Sequence, residues 1–316
     1  MAKKKRKTGK SKRKPRSDAF ASLKRILLIA CALLVCLFVL LYIYDYNRRP
    51  GKTKEKPKRE TVRPDNRKNE EKGFQFPEGK PRAVIPANAE IPVLHSGEKE
   101  QIVRHEGYTL SFNPVYKIAN WAAYELTAQE VLTRKSNRFD KFLLDPALPG
   151  GTALNEDYTR SGYDRGHLVP AGDMKWSARA MRESFYLSNI VPQAPKLNRG
   201  IWKELEEQIR DWAVTDSALL IATGPVIRPH LKRLGKSRVA IPDSMYKVIV
   251  SPYGKEPKGI AFLFANKGYG KAPLRQFAVS IDSVEKITGI DFFPALPDEL
   301  EKQVESKADT AKWNFN

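Results

Sequence analysis

Four consecutive residues, Asp164-Arg165-Gly166-His167, and an asparagine thirty-one positions after the histidine, Asn198, carry the residue types that phosphodiester hydrolysis needs. The reaction requires an activated water, neutralisation of charge on phosphorus and stabilisation of the leaving oxygen. A neutral imidazole can take the proton, because its ordinary pKa lies near working pH. One hard divalent cation meets the other two needs, and Mg²⁺ typically keeps several waters while taking only one or two protein oxygens. The chain of 316 residues has only four histidines, so the choice of base is narrow. His95, His105 and His230 lack a comparable context and read as structural.

Stepping from these residues to the elements that must hold them, Asn198 stands at the mouth of a helix predicted from about Asn198 to Val214. Trp202, Leu205, Ile209 and Trp212 recur there at spacings of three and four, which makes that face buried and makes Trp202 a core residue rather than a stacking platform for bases. Glu206 falls two turns beyond Asn198, about 80° around the axis and about 12 Å along it. At that separation it is expected to hold metal-bound waters rather than ligate directly. The plainer readings are an N-cap for Asn198, a turn former for Asn189 and a solvated helix face for Glu206, which Glu204 and Glu207 flank. Asp164 is expected to fix Arg165 or its loop rather than to bind metal.

Alternating apolar residues predict strands over 108–112 and 121–126, followed by a Pro/Gly-marked loop from Asp145 to Thr159. A short helix over 177–183 precedes a strand over 185–191. Further strands are expected over 218–223, 246–251, 259–264 and 277–281. A last helix opens at Asp282, with Glu285 at capping-box spacing, and ends at Gly289. Strands clustered around a few helices, without regular alternation, predict one α+β domain with a largely antiparallel central sheet flanked by helices.

Three segments taken together, Asp164 to Pro170, Leu187 to Gln193 and Leu197 to Trp202 with Glu206, resemble the signature of the DNA/RNA non-specific endonucleases, which are ββα-metal nucleases. Thr223-Gly224-Pro225 and Thr288 to Pro294 extend the likeness to roughly Ile91–Pro297. The resemblance implies a ββα-metal active-site motif in which His167 is the general base and Asn198 the single protein ligand to Mg²⁺, with Mn²⁺ or another divalent cation able to substitute. It implies that Glu206 orients metal-bound waters and that Arg165 and Asn189 support substrate or base geometry. Arg138 matches the upstream arginine that contacts phosphate, with Arg134 and Lys135 close by. The implied substrates are DNA and RNA, and the products 5′-phosphorylated fragments. A catalytically silent binding module for nucleic acid or protein is the alternative, and the presence of His167, Asn198 and Glu206 together argues against it.

The net charge of +20 belongs mostly to the N-terminal part: residues up to Arg82 carry +17 and the remainder only +3. Within that N-terminal part lies Ile26–Tyr44, nineteen residues without a charge, long enough to cross the roughly 30 Å of bilayer hydrocarbon as a helix. It ends in Tyr42-Ile43-Tyr44-Asp45-Tyr46, an interfacial aromatic belt rather than a signal-peptide cleavage site. Twelve Lys or Arg in residues 1–25, against one Asp, favour a basic cytoplasmic N-terminus and an exported remainder on the periplasmic or extracellular side. Residues 45–87, rich in Lys, Arg, Glu and Pro, read as a disordered basic tether, which leaves 88–316 as the nuclease domain. The basicity thus fits topology and attraction to anionic lipid better than nucleic-acid binding. Cys31 and Cys36 both fall in the apolar run, so disulfide and thiolate chemistry are excluded from the rest.

Overall fold

The computed structural model describes residues 85–315 apart from 96, 98, 254 and 255. They lie in a unit spanning Pro77–Asn316, separate from Met1–Phe76. The expected basic segment 1–25, membrane helix 26–44 and nearly all of the tether 45–87 fall outside the described residues. Among the described residues no helix is long and apolar enough to cross a membrane.

Thirteen strands are present among the described residues. They are β1 (Val93–Leu94), β2 (Gln101–Arg104), β3 (Thr109–Asn113), β4 (Ile118–Thr127), β5 (Asp164–His167), β6 (Ile190–Gln193), β7 (Ala218–Pro225), β8 (Arg233–Leu234), β9 (Val239–Ala240), β10 (Ser244–Ser251), β11 (Lys258–Ala265), β12 (Ala278–Val279) and β13 (Ile290–Asp291). The helices are α1 (Ala128–Leu132), α2 (Asn155–Tyr158), α3 (Ala178–Glu183), α4 (Pro195–Asn198), α5 (Ile201–Asp216), α6 (Ile281–Thr288) and α7 (Asp298–Glu305). Seven strands form one sheet in the order β12-β11-β10-β7-β4-β3-β2, and every neighbouring pair is antiparallel. The fold is therefore α+β with a large antiparallel sheet, as the element pattern predicts.

Both faces of that sheet are buried, and the period of two sorts its side chains between two cores. On β7, Leu219 and Ile221 join Trp202, Leu205, Ile209 and Trp212 of α5 in one core. Leu220 and Ala222 face the other way, toward Ile281 and Val284 of α6 and Leu300 and Val304 of α7. A separate antiparallel ribbon, β5 with β6, pairs Asp164 with Gln193 and His167 with Ile190. This ribbon and α4 are the ββα unit that the motifs imply.

Several expected boundaries move, each for a local reason. The helix expected over 198–214 is two helices, because Gly200 takes φ −108° and ψ −123° between them. Gly200 sits so close to the preceding turn that a Cβ there would lie 2.6 Å from the Lys196 carbonyl oxygen. Asn198 therefore closes α4 instead of opening α5, and the offset to Glu206 counted along one continuous helix does not hold. In place of a strand over 185–191, Leu187–Asn189 make a 3₁₀ turn and β6 begins only at Ile190. The strand expected over 277–281 shrinks to the two residues of β12. Helix α6 is capped by the Ser280 hydroxyl, and Glu285 makes no capping box; it accepts instead from the Phe292 amide at 2.8 Å.

Candidate active site

Pairing with β6 fixes β5 across its whole length, and Gly166 makes that pairing possible. A side chain at 166 would overlap Gln193, which is fully buried and fills the space. The Gln193 amide has both polar atoms buried without a hydrogen-bond partner, an uncommon and costly arrangement. The turn from β6 into α4 is held by Asn266, whose Oδ1 accepts from the Ala194 amide at 2.7 Å and whose Nδ2 donates to the Pro192 and Pro242 carbonyls. Pro195 at the first helical position then starts α4, where a missing N–H costs nothing.

These restraints deliver Asn198 to the start of β5. Its Nδ2 donates to Asp164 Oδ2 at 2.9 Å, and Arg199 grips the same carboxylate with Nε at 2.8 Å and an Nη at 2.6 Å. Burial alone would raise the Asp164 carboxyl, but the bonds from Arg199 and Asn198 and the Arg199 charge hold it below the usual range. An ionised carboxylate only accepts, so the Asn198 amide is forced to present its NH₂ inward and to leave Oδ1 as a free, neutral oxygen. The donor suits a hard cation that keeps most of its waters. Of the two expectations for Asp164, Arg165 or its loop, the first does not hold: Asp164 engages Asn198 and Arg199 while Arg165 bonds Asn155, and Asn198 does not cap α5.

His167 sits roughly 10 Å along the same strand from Asp164. Its ring packs edge-on against Phe185 at 4.8 Å between centroids and tilts against Phe142 at 5.5 Å. Nε2 is shut away from solvent and meets no partner. Burial first, and the Arg138 charge second, push the imidazole pKa down to about 3, so the ring is neutral at ordinary pH.

Each aromatic wall also carries an arginine. Arg138 lies over Phe185 at 5.2 Å, with its Nε on Asp140 at 3.1 Å, and is largely exposed. Arg165 lies 5.4 Å from the centres of both Phe142 and Tyr158, and Asn155 anchors it through Oδ1 at 3.1 Å and its carbonyl at 2.7 Å. Two guanidinium groups therefore pack on the two phenyl rings that touch one imidazole.

Asn189 is fully buried and wholly occupied. Its Oδ1 accepts from the Val169 amide at 3.0 Å, and its Nδ2 donates to the Val169 and Ser184 carbonyls. It fastens the chain leaving His167 to the 3₁₀ turn and has no side-chain atom left over for another partner. Neighbouring Ser188 donates to Asp145, which also bonds the buried His105 at 3.1 Å.

Glu206 does not stand alone on a solvated face. Burial raises its carboxyl and Asp173 adds to the rise, while Lys247 and Arg210 oppose it. Lys247, fully buried on β10, donates to the Leu168 carbonyl at 3.2 Å and lies over the Trp202 ring at 4.9 Å. Asp173 takes hydrogen bonds from Tyr124 and Arg210, both at 2.8 Å. This network supports the residue next to His167 from below. Of its members, Lys247, Asp173, Arg210 and Tyr124 are absent from the sequence-based site, as are Arg199 and the two phenylalanines. Lys247 left a legible signal, a lone charge in the apolar run Met245 to Val250.

Residues 85–299 match the family model described as DNA/RNA non-specific endonuclease. The mouse protein named "Nuclease EXOG, mitochondrial" is 35% identical over 225 residues, which cover 66% of this chain and 61% of that one. This chain thus spans less than two thirds of that relative's length. Human "Endonuclease G, mitochondrial" is 31% identical over 207 residues, 61% of this chain and 70% of that protein. A chain from the crystal structure of the EndoG/EndoGI complex superposes with a TM-score of 0.59 at 31% identity, covering 65% of this chain and 89% of that chain. The match over most of the chain, carried on the same ββα unit, places this protein in the DNA/RNA non-specific endonuclease family.

Proposed function

We propose that this protein is a membrane-anchored endonuclease that cleaves DNA and RNA with little sequence preference, using Mg²⁺ or a similar divalent cation. One observation carries the reading: Asp164, held by Arg199, takes the Asn198 NH₂ and so leaves the neutral Oδ1 of Asn198 available beside the ribbon that bears a neutral His167. When bound there, the cation supplies charge neutralisation at the phosphate and at the departing oxygen.

The chain's own residues supply the rest. With Nε2 turned inward, Nδ1 is the nitrogen left to take a proton from the attacking water. Phe142 and Phe185 exclude water from the inner side of the ring and fix its plane. Arg138, exposed beside Phe185, is placed to meet a phosphate oxygen, and Arg165 holds the opposite wall rigid. Glu206, poised between protonation states by its neighbours, is the acid available to order waters beneath the site. Contacts of this kind read phosphate and not base edges, which accounts for sequence tolerance. The products are 5′-phosphorylated, because the base delivers water to phosphorus and the 3′ oxygen departs.

The apolar run Ile26–Tyr44 and its basic flank support an anchor that leaves the nuclease domain outside the cytoplasm. Two measurements test these parts. End-labelling of fragments from plasmid DNA and from RNA should find 5′-phosphates from both, whereas 5′-hydroxyl ends would sink the proposed geometry. Protease added to intact cells should degrade the domain, and full protection would overturn the orientation.

A further inference from the structure

On the sheet face away from α5, three carboxylates converge where the start of α6 meets the end of α7. Asp282, Glu285 and Glu305 each offer an oxygen, and these oxygens all lie within 4.8 Å of one another. Glu305 is only 7% exposed, and its Oε1 is buried without a hydrogen-bond partner. The charges that bear on it most are negative: Glu285, Glu301, Asp282 and Asp291. Burial first, and these neighbours after it, raise its carboxyl to about 9. Glu305 also ends α7, where the helix dipole disfavours an anion. Among the described residues no Lys or Arg forms an ion pair with any of the three.

Buried acids elsewhere meet a cation of the chain, as Asp173 and Asp216 do, or backbone amides, as Asp157 does, whereas Glu305 Oε1 meets neither, so this group calls for a positive charge from outside. A shared proton would neutralise one carboxyl. A divalent cation would neutralise two and give the orphaned oxygen a partner. The oxygen spread is one that ligands at roughly 2.3–2.6 Å around Ca²⁺ cover, whereas Mg²⁺, with ligands at roughly 2.0–2.1 Å, seldom accepts more than one or two carboxylates.

We propose that Asp282, Glu285 and Glu305 form a second metal site that takes Ca²⁺, is separate from Asn198, and ties α6 to α7. The inference stands independently of the catalytic reading. The experiment is thermal unfolding of the full chain, stripped of metal, with Ca²⁺ or Mg²⁺ added, alongside calorimetric titration with Ca²⁺ alone. At about 100-fold excess over the dissociation constant, Ca²⁺ should raise the Tm by roughly 5–10 °C. The rise should persist in Asn198→Ala and vanish in Glu305→Gln and in Asp282→Asn. Glu305→Gln mimics the protonated carboxyl, so it should fold in EDTA at least as well as the parent.

Absence of Ca²⁺ binding by the parent, leaving the proton alone to neutralise the group, would overturn the proposal. So would a shift retained in both variants, or a Glu305→Gln protein unable to fold without Ca²⁺. A shift with Mg²⁺ as large as that with Ca²⁺ would overturn the choice of cation.

Discussion

Two sets of buried or half-buried acids sit on opposite faces of one sheet, and the chain treats them in opposite ways. Toward α5, Asp164 is gripped by Arg199, Asp173 by Arg210, and Glu206 faces Lys247. Toward α6 and α7, Asp282, Glu285 and Glu305 converge with more acids around them, and among the described residues no Lys or Arg pairs with any of the three. Charges paired within the fold hold their partners in fixed orientations, which a hydrolytic site needs. Charges left unpaired store repulsion that only a ligand or a proton can relieve. The first arrangement orients; the second waits for an ion.

The contrast can be broken at several points. His167→Ala, which removes the base that the paired face exists to position, should lower kcat by about 10²–10⁴-fold with an unchanged circular-dichroism spectrum. Lys247→Met should cost on the order of 3–5 kcal/mol in denaturant unfolding, because Glu206 and Asp173 then lose a buried counter-charge. Arg199→Ala should raise the Mg²⁺ concentration needed for half-maximal cleavage by about 10–100-fold while sparing the rate at saturation. A rate loss without a change in metal dependence would mean that the Asp164 clamp does not orient Asn198.

The acid limb is subtler. His167 titrates lower in the folded protein than in the unfolded chain, so the unfolded chain binds its proton first. Its contribution to stability is complete above about pH 6.5 and declines as pH falls toward 3. Accordingly, kcat/KM should stay flat to more than one pH unit below 6.5 before the loss assigned to His167 appears. Smallest of all, Glu305→Gln in EDTA should leave the unfolding free energy within about 1 kcal/mol of the parent or raise it, the reverse of what Lys247→Met does on the other face.

Much of this arrangement was legible in the sequence, because its signals are local. Alternation marked β3 and β4, apolar runs marked β7, β10 and β11, and helical spacing put Trp202, Leu205, Ile209 and Trp212 on the buried face of α5. The motifs brought His167 and Asn198 onto one ββα unit. The break at Gly200 escaped because the apolar spacing begins only with Trp202, and the chain ahead of it pairs with Asp164, thirty-four residues away. Phe142 and Phe185 escaped for the same reason: each reads as a core residue, and only the tertiary fold sets both against one imidazole. Glu285 looked like half of a capping box, yet its carboxylate serves the Phe292 amide instead. Pairings that span tens of residues have no period to reveal them.

The most direct test of the account is cleavage of supercoiled plasmid by the full chain, its His167→Ala variant and its Asn198→Ala variant, each with Mg²⁺ and with EDTA. The account predicts cutting by the parent in Mg²⁺ alone, loss in His167→Ala at every metal concentration, and partial rescue of Asn198→Ala by excess metal. Cutting that survives EDTA, or that persists undiminished in His167→Ala, would contradict it.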